Sequence, residues 1–204
     1  MIEIKNLNKS FFQRQLFKDL NISIGDGEMV AIVGVSGVGK STLLNIIGSL
    51  EKFDSGSVTV GNTDLSKMSR KNQLLFLRNE VSFLFQNYAL MDNKTVIENI
   101  ILNNKAKNTD ELAKSALEQL KLNGFENRIV SSLSGGEQQR VALARVMVKP
   151  SKVVLADEPT GNLDKDNSKI VWDTLKHLNK SGKTVVVVTH DLSSLSNFDK
   201  VVYL

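Results

Sequence analysis

In the first quarter of the chain, Gly34-Val35-Ser36-Gly37-Val38-Gly39-Lys40-Ser41-Thr42 contains a full match to the eight-residue spacing G-x-x-x-x-G-K-[ST], at Gly34 to Ser41. Glycines there let the backbone wrap closely round phosphate groups with its N–H donors turned inward, and a helix after the loop offers its positive end to the same anion. Lys40 then reaches the β- and γ-phosphates, and the Ser41 hydroxyl can ligate Mg²⁺. Glycine makes up about 7% of average sequences, so a chain of this length meets the pattern by chance on the order of once in a hundred.

A second chemical feature is Val153-Val154-Leu155-Ala156-Asp157-Glu158-Pro159, an apolar run that delivers two carboxylates at its end. In an open α/β sheet, ligands sit at the carboxyl ends of the strands. Successive strand residues face opposite sides, so Asp157 and Glu158 must have different tasks. Beside a phosphate-binding loop, the first is placed to hold Mg²⁺ and the second to orient and activate the attacking water.

The third is Leu133-Ser134-Gly135-Gly136-Glu137-Gln138-Gln139-Arg140. It reads as a helix start, with Ser134 as N-cap and Glu137 as the reciprocal half of a capping box. Two adjacent glycines cost a helix interior about 1 kcal/mol each, which points to something approaching the backbone closely. Such a helix end is a second anion site, separated in sequence from the first.

Elements that can position these groups follow from periodicity. Ile2–Leu7 and Phe17–Ile24 alternate as strands of an antiparallel sheet, and Gly25-Asp26-Gly27 carries hairpin-turn chemistry. Met29–Val33 is continuously apolar, as a strand buried on both faces should be, and leads through the glycine loop into a helix over Ser41–Leu50. Short strands are expected at Val58–Val60 and Val81–Phe85. From about Val96 to Lys149 the pattern turns helical, with Leu112, Ala113, Ala116, Leu117 and Leu120 at 3/4 spacing and a second amphipathic run over Val141–Val148. Strands return at Val153–Ala156 and Thr184–Thr189 around a helix near Ile170–Leu178, the rhythm of a parallel sheet, and a last strand covers Lys200–Leu204.

Composition sets the outer limits. The chain has 204 residues, 41% of them hydrophobic, and no cysteine, which rules out disulfides and thiolate metal sites. A net charge of +4 from scattered Lys and Arg is too mild to indicate a nucleic-acid partner, and none is expected. No apolar run approaches the ~20 residues of a membrane span, and the N-terminus lacks the apolar region of a secretory signal. A cytoplasmic location is expected.

Taken in order, the phosphate loop, L-S-G-G-E-Q-Q-R, the strand ending Asp157-Glu158-Pro159, Gly161-Asn162-Leu163-Asp164 and the strand ending in His190 closely resemble the ATP-binding-cassette (ABC) ATPases over essentially the whole chain. The resemblance implies an α/β fold: a P-loop NTPase (RecA-like) core, an N-terminal antiparallel β subdomain and an inserted α-helical subdomain at roughly 92–149, within one domain of residues 1–204. It implies that Gly34 to Thr42 bind ATP, with Phe11 stacked on adenine and Phe12 as the competitor for that role. Gln86 falls where the family senses Mg²⁺ and water beside the transmembrane partner, joining Ser41 and Asp157 around the metal; His190 falls where it contacts the γ-phosphate. Glu158, Gln86 and His190 are the catalytic residues so implied. Ser134, Gly135, Gly136 and Glu137 would close over ATP held by a second protomer, with Asp164 linking the two sites.

Transport by such a chain requires separate permease subunits, which would hold it at the inner face of the membrane. Gly161-Asn162-Leu163-Asp164 and E-Q-Q-R-V-A-L-A-R resemble the branch of macrolide exporters, lipoprotein-release ATPases and the cell-division ATPase; Phe83-Leu84-Phe85-Gln86-Asn87-Tyr88-Ala89-Leu90 resembles Gram-positive bacteriocin or antimicrobial-peptide exporters. The expected output is export of a peptide or other amphipathic cargo. The alternative is mechanical regulation of an extracytoplasmic enzyme. A DNA-repair or translation ATPase fits poorly, because residues 41–132 leave no room for a long coiled coil and there is one cassette.

Overall fold

The computed structural model describes residues 1–102, 108–161 and 163–204; Asn162, part of the Gly161–Asp164 motif, lies outside them. Strand β1 (Ile2–Phe11) pairs antiparallel with β2 (Arg14–Ile24) and, on its other edge, with β4 (Ser55–Val60), which carries the short β5 (Thr63–Asp64). The inward faces of these strands alternate as their sequences do: Ile2, Ile4 and Leu7 of β1 are buried, and Ile22 and Ile24 of β2 join them.

The second sheet is parallel, in the order β6 (Val81–Leu84), β7 (Val153–Asp157), β8 (Thr184–Val188), β3 (Met29–Val33), β9 (Lys200–Tyr203). All five residues of β3 and of β8 are buried, as continuous apolar runs in a sheet covered on both faces must be. Helix α1 (Lys40–Ile47) packs Leu43, Leu44, Ile46 and Ile47 into the same core as the antiparallel sheet. A separate core forms round α3 (Val96–Ile100), α4 (Thr109–Gln119), α5 (Gly135–Val148) and α6 (Lys165–Lys180), against the other face of the parallel sheet.

Three expectations change, and one element was not expected. The Gly25–Gly27 turn closes no hairpin: it carries the chain from β2 in one sheet to β3 in the other, while the β1–β2 hairpin turns at Phe12 and Gln13, with Phe12 left-handed at φ 52°. Leu112 is half exposed rather than part of the buried face of α4. The Val141–Val148 run is not amphipathic, since Val141 to Ala144, Val146 and Val148 are all buried where α5 passes between the sheet and its neighbouring helices. Helix α2 (Arg70–Asn79) has no counterpart in the periodicity, because it buries only Phe76 and leaves Leu74 and Leu75 in solvent.

Candidate functional site

The carboxyl ends of β3, β7 and β8 lie side by side, with Ile32 opposite Val188 and Asp157 opposite Val188 in register. Each strand therefore releases its next residues along one edge of the sheet: the glycine loop after Val33, the acidic pair at Asp157 and Glu158, and Thr189-His190 after Val188. Within the loop, Gly39 is left-handed at φ 109° and a Cβ there would stand 2.9 Å from Cζ of Phe17 in β2. Only glycine can thus start α1 so close to the antiparallel sheet.

Lys40 is buried and donates from Nζ to the carbonyls of Gly34 and Val35, at 2.9 and 3.1 Å. The Ser41 hydroxyl donates to Oδ1 of Asp157 at 2.9 Å, so the first residue pair expected to hold a metal meets across the sheet edge. Burial pushes the Asp157 carboxyl above its ordinary range, against the pull of the Ser41 hydrogen bond. A hydroxyl and a half-desolvated carboxylate are hard oxygen donors, suited to Mg²⁺. Among the described residues no three His, Cys, Asp or Glu side chains gather into a metal cage of their own. That fits an ion which keeps several waters and completes its shell with phosphate oxygens.

Glu158 continues from β7 with its backbone N–H on Val188 O at 2.9 Å, yet takes the left-handed conformation at φ 44°. A non-glycine residue held there costs about 1–2 kcal/mol, and such strain concentrates at functional sites. The side chain is mostly buried, 14% exposed, and its Oε2 lies 2.8 Å from Nδ1 of His190, which is 70% exposed. Gln86 stands in the exposed turn just after β6. Phe11 is partly exposed under the Nζ of Lys9, 4.2 Å from the ring centroid, while Phe12 is fully exposed.

Helix α5 begins as its sequence predicts. Ser134 accepts from the Glu137 N–H, and Glu137 accepts in return from the Ser134 backbone at 2.7 Å, which holds its carboxyl below the usual range. Part of the reason for the double glycine is internal: a Cβ on Gly136 would meet the Asn167 amide at 2.8 Å, and one on Gly135 the Tyr88 hydroxyl at 3.3 Å. Asn167 also donates to Oδ2 of Asp164 at 2.7 Å and accepts from Arg140, so helix start and Asp164 are tied together. Ser134 and Gly135 themselves are exposed.

Several participants carry no sequence signal strong enough to find them. Arg145 donates to the carbonyls of Tyr88 and Ala89, at 2.7 and 2.6 Å, locking the turn that contains Gln86 onto α5. Gln139 is buried and donates to Pro159 O at 2.7 Å, beside the acidic pair. Their types alone read as ordinary helix polar residues. Next to the Gln86 turn lies a groove of about 690 Å³ whose walls include Leu74, Phe83, Phe85, Arg145 and Lys149. Among the described residues, no helix is long and apolar enough to cross a membrane.

Comparison with known proteins gives this arrangement a family. Residues 17–161 match the ABC transporter family. The chain is 42% identical to the lipoprotein-releasing system ATP-binding protein LolD of Pseudoalteromonas translucida, covering all of this chain and 92% of that one. It is 36% identical to the macrolide export ATP-binding/permease protein MacB of Neisseria gonorrhoeae, over 99% of this chain and 33% of that longer protein. A solved dimeric structure of the ATP-binding cassette MJ0796 of Methanocaldococcus jannaschii, in a post-hydrolysis state bound to ADP and Pi, superposes with a TM-score of 0.91 at 35% identity, covering 100% of this chain and 94% of that one. With its phosphate loop and acidic pair set on the RecA-like sheet of those cassettes, the chain belongs to the ABC transporter family as an ATP-binding, ATP-hydrolysing cassette.

Proposed function

We propose that two copies of this chain clasp two ATP molecules between them and use their hydrolysis to drive a separate membrane permease that exports a peptide, bacteriocin or other amphipathic cargo. The observation that carries the catalytic part is the convergence, on one sheet edge, of Lys40, the Ser41–Asp157 pair and the Glu158–His190 pair.

In this reading the N–H groups of Gly34 to Thr42 bind the phosphates, Lys40 leaves its two loop carbonyls for the β- and γ-phosphates, and Phe11 stacks on adenine. Ser41, Asp157 and Gln86 hold Mg²⁺, which when bound neutralises charge on the phosphate oxygens. Glu158 takes a proton from the attacking water, oriented by its strained backbone, and His190 donates to the γ-phosphate. Ser134 to Glu137 present a capped, exposed helix start to the ATP of the opposite protomer, and Asp164 links that contact to its own site through Asn167. The dimer is supported by the dimeric MJ0796 cassettes, and by a helix start that faces solvent in one copy.

The groove beside Gln86, walled by Leu74, Phe83 and Phe85 with the cations Arg78, Arg145 and Lys149 among its lining, supports a permease contact there, at the inner face of the membrane. The permease is further supported by MacB, which carries ATP-binding and permease functions in one protein. An amphipathic cargo is supported by the lipoprotein-releasing and macrolide-export relatives. The test is ATP-dependent uptake of a fluorescent amphipathic peptide into inside-out vesicles containing this chain and its permease. Uptake that Lys40→Ala abolishes is the expected result. ATP turnover with no cargo movement would sink the export reading and leave mechanical regulation in its place.

A further inference from the structure

The tip of the β1–β2 hairpin touches the phosphate loop. Its last register pair sets Phe11 opposite Arg14, and Nη2 of Arg14 donates to Gly37 O at 2.7 Å. The guanidinium lies flush with the loop, since a Cβ on Gly37 would be 3.6 Å from Nη2. Arg14 is exposed, and among the described residues no carboxylate forms an ion pair with it. Of five N–H donors a guanidinium offers, the bond to Gly37 uses one, and its acceptor is a neutral carbonyl.

The site proposed above fixes the two ends of a nucleotide: adenine against Phe11, and the phosphates within Gly34 to Thr42. The ribose runs between them, so the α-phosphate, bonded to it, is the phosphate nearest the hairpin. Arg14 spans that interval, with its backbone paired to Phe11 and its side chain on Gly37. We propose that Arg14 binds the α-phosphate of the nucleotide, a role that rests on the ATP-site reading above. A planar fork with free donors and no competing carboxylate gives up one neutral hydrogen bond and gains charge-assisted bonds to phosphate oxygens. Lys40 and Arg14 then grip the triphosphate from opposite ends. Because the hairpin turns in two residues, Phe12 and Gln13, the cation and the aromatic ring move together.

The test is competition against a fluorescent ADP on the full chain, using ATP, ADP and inorganic pyrophosphate with wild type, Arg14→Gln, Arg14→Lys and Lys40→Ala. Arg14→Gln should weaken ATP and ADP about tenfold or more, the scale of a lost charge-assisted bond. Pyrophosphate, which fills only the inner two phosphate positions, should be nearly unaffected, and Arg14→Lys should fall between. An Arg14 that merely props the loop would weaken pyrophosphate as much as ADP, and that result overturns the proposal. So does unchanged ADP affinity in Arg14→Gln. Should Lys40→Ala bind ATP as well as wild type, the ATP-site reading itself fails and the proposal goes with it, whatever Arg14→Gln does.

Discussion

Nδ1 of His190 lies 2.8 Å from Oε2 of Glu158, and the His190 backbone N–H reaches that same oxygen at 3.3 Å. The two residues follow the ends of neighbouring strands, β7 and β8, whose register brings Asp157 opposite Val188. The histidine thus orients the carboxylate from one side, while the left-handed backbone at Glu158 aims it from the other. Acting as the base proposed above, a carboxylate fixed in this way would contribute about a hundred- to ten-thousandfold to a proton-transfer step.

Replacing Glu158 by Gln keeps the shape and the oxygen facing His190 but removes the proposed base. Turnover should fall by about two orders of magnitude or more. ATP binding should persist, and gel filtration with ATP should show a dimer. A species that stays monomeric at saturating ATP would count against the sandwich arrangement.

Asp157 carries a cost of its own in the nucleotide-free protein, because burial and the neighbouring Glu158 both disfavour its charged form. Asp157→Asn keeps an oxygen acceptor for Ser41 and removes that charge. The thermal midpoint without nucleotide should therefore hold or rise. The additional stabilisation that Mg²⁺ with ATP gives wild type should be lost, since ligand stabilisation tracks affinity. A variant that Mg²⁺ and ATP still stabilise as strongly as wild type would remove Asp157 from the metal site.

Ser134→Arg places a bulky cation at the start of α5 and deletes its cap, at a cost of about 1 kcal/mol in helix stability. ATP binding to the single chain should be nearly unchanged, because the helix start is not part of the same protomer's phosphate loop. Steady-state hydrolysis should collapse. Normal turnover in this variant would show that Ser134 to Gly136 do not act across the dimer.

Lys149 donates from Nζ to Leu77 O while burial, with Arg145 and Lys183 nearby, pulls its pKa down to about 8. The unfolded chain, with an ordinary lysine near 10.5, binds more protons than the folded one between those values, so the folded state gains stability as pH rises from about 8 toward 10.5. The difference in unfolding free energy between wild type and Lys149→Met should therefore shift in favour of wild type across that window. A difference that stays flat with pH would mean that the folded lysine titrates normally.

What the sequence reveals depends on whether a residue's task is local. The glycine loop, the apolar strands at Met29–Val33 and Thr184–Thr189, and the capping box at Ser134 and Glu137 are all set by neighbours in the chain, and the structure has them, the second strand ending one residue sooner at Val188. Helix α2 escapes because its contacts rest on one buried side chain, although Ser69, which accepts from the Asn72 N–H, is a start signal that capping alone could have found. The real hairpin turn escapes because it uses Phe12 in a left-handed conformation, where glycine or asparagine is the usual sign. Leu112 follows the 3/4 spacing but stands outside the face that α4 buries, which propensity alone cannot decide. Arg14, Gln139 and Arg145 escape for a further reason: each acts on a backbone carbonyl distant in sequence, Gly37, Pro159 and the Tyr88–Ala89 pair, and no side-chain pattern records such a contact.

The sharpest test is a crystal structure of Glu158→Gln with Mg²⁺ and ATP. Two protomers should face each other head to tail, with each γ-phosphate within hydrogen-bonding distance of Ser134 Oγ and the Gly136 N–H of the opposite copy while Lys40 of its own copy holds the other side. Nucleotide gripped by one copy alone, with both glycines of α5 open to solvent, would contradict the account.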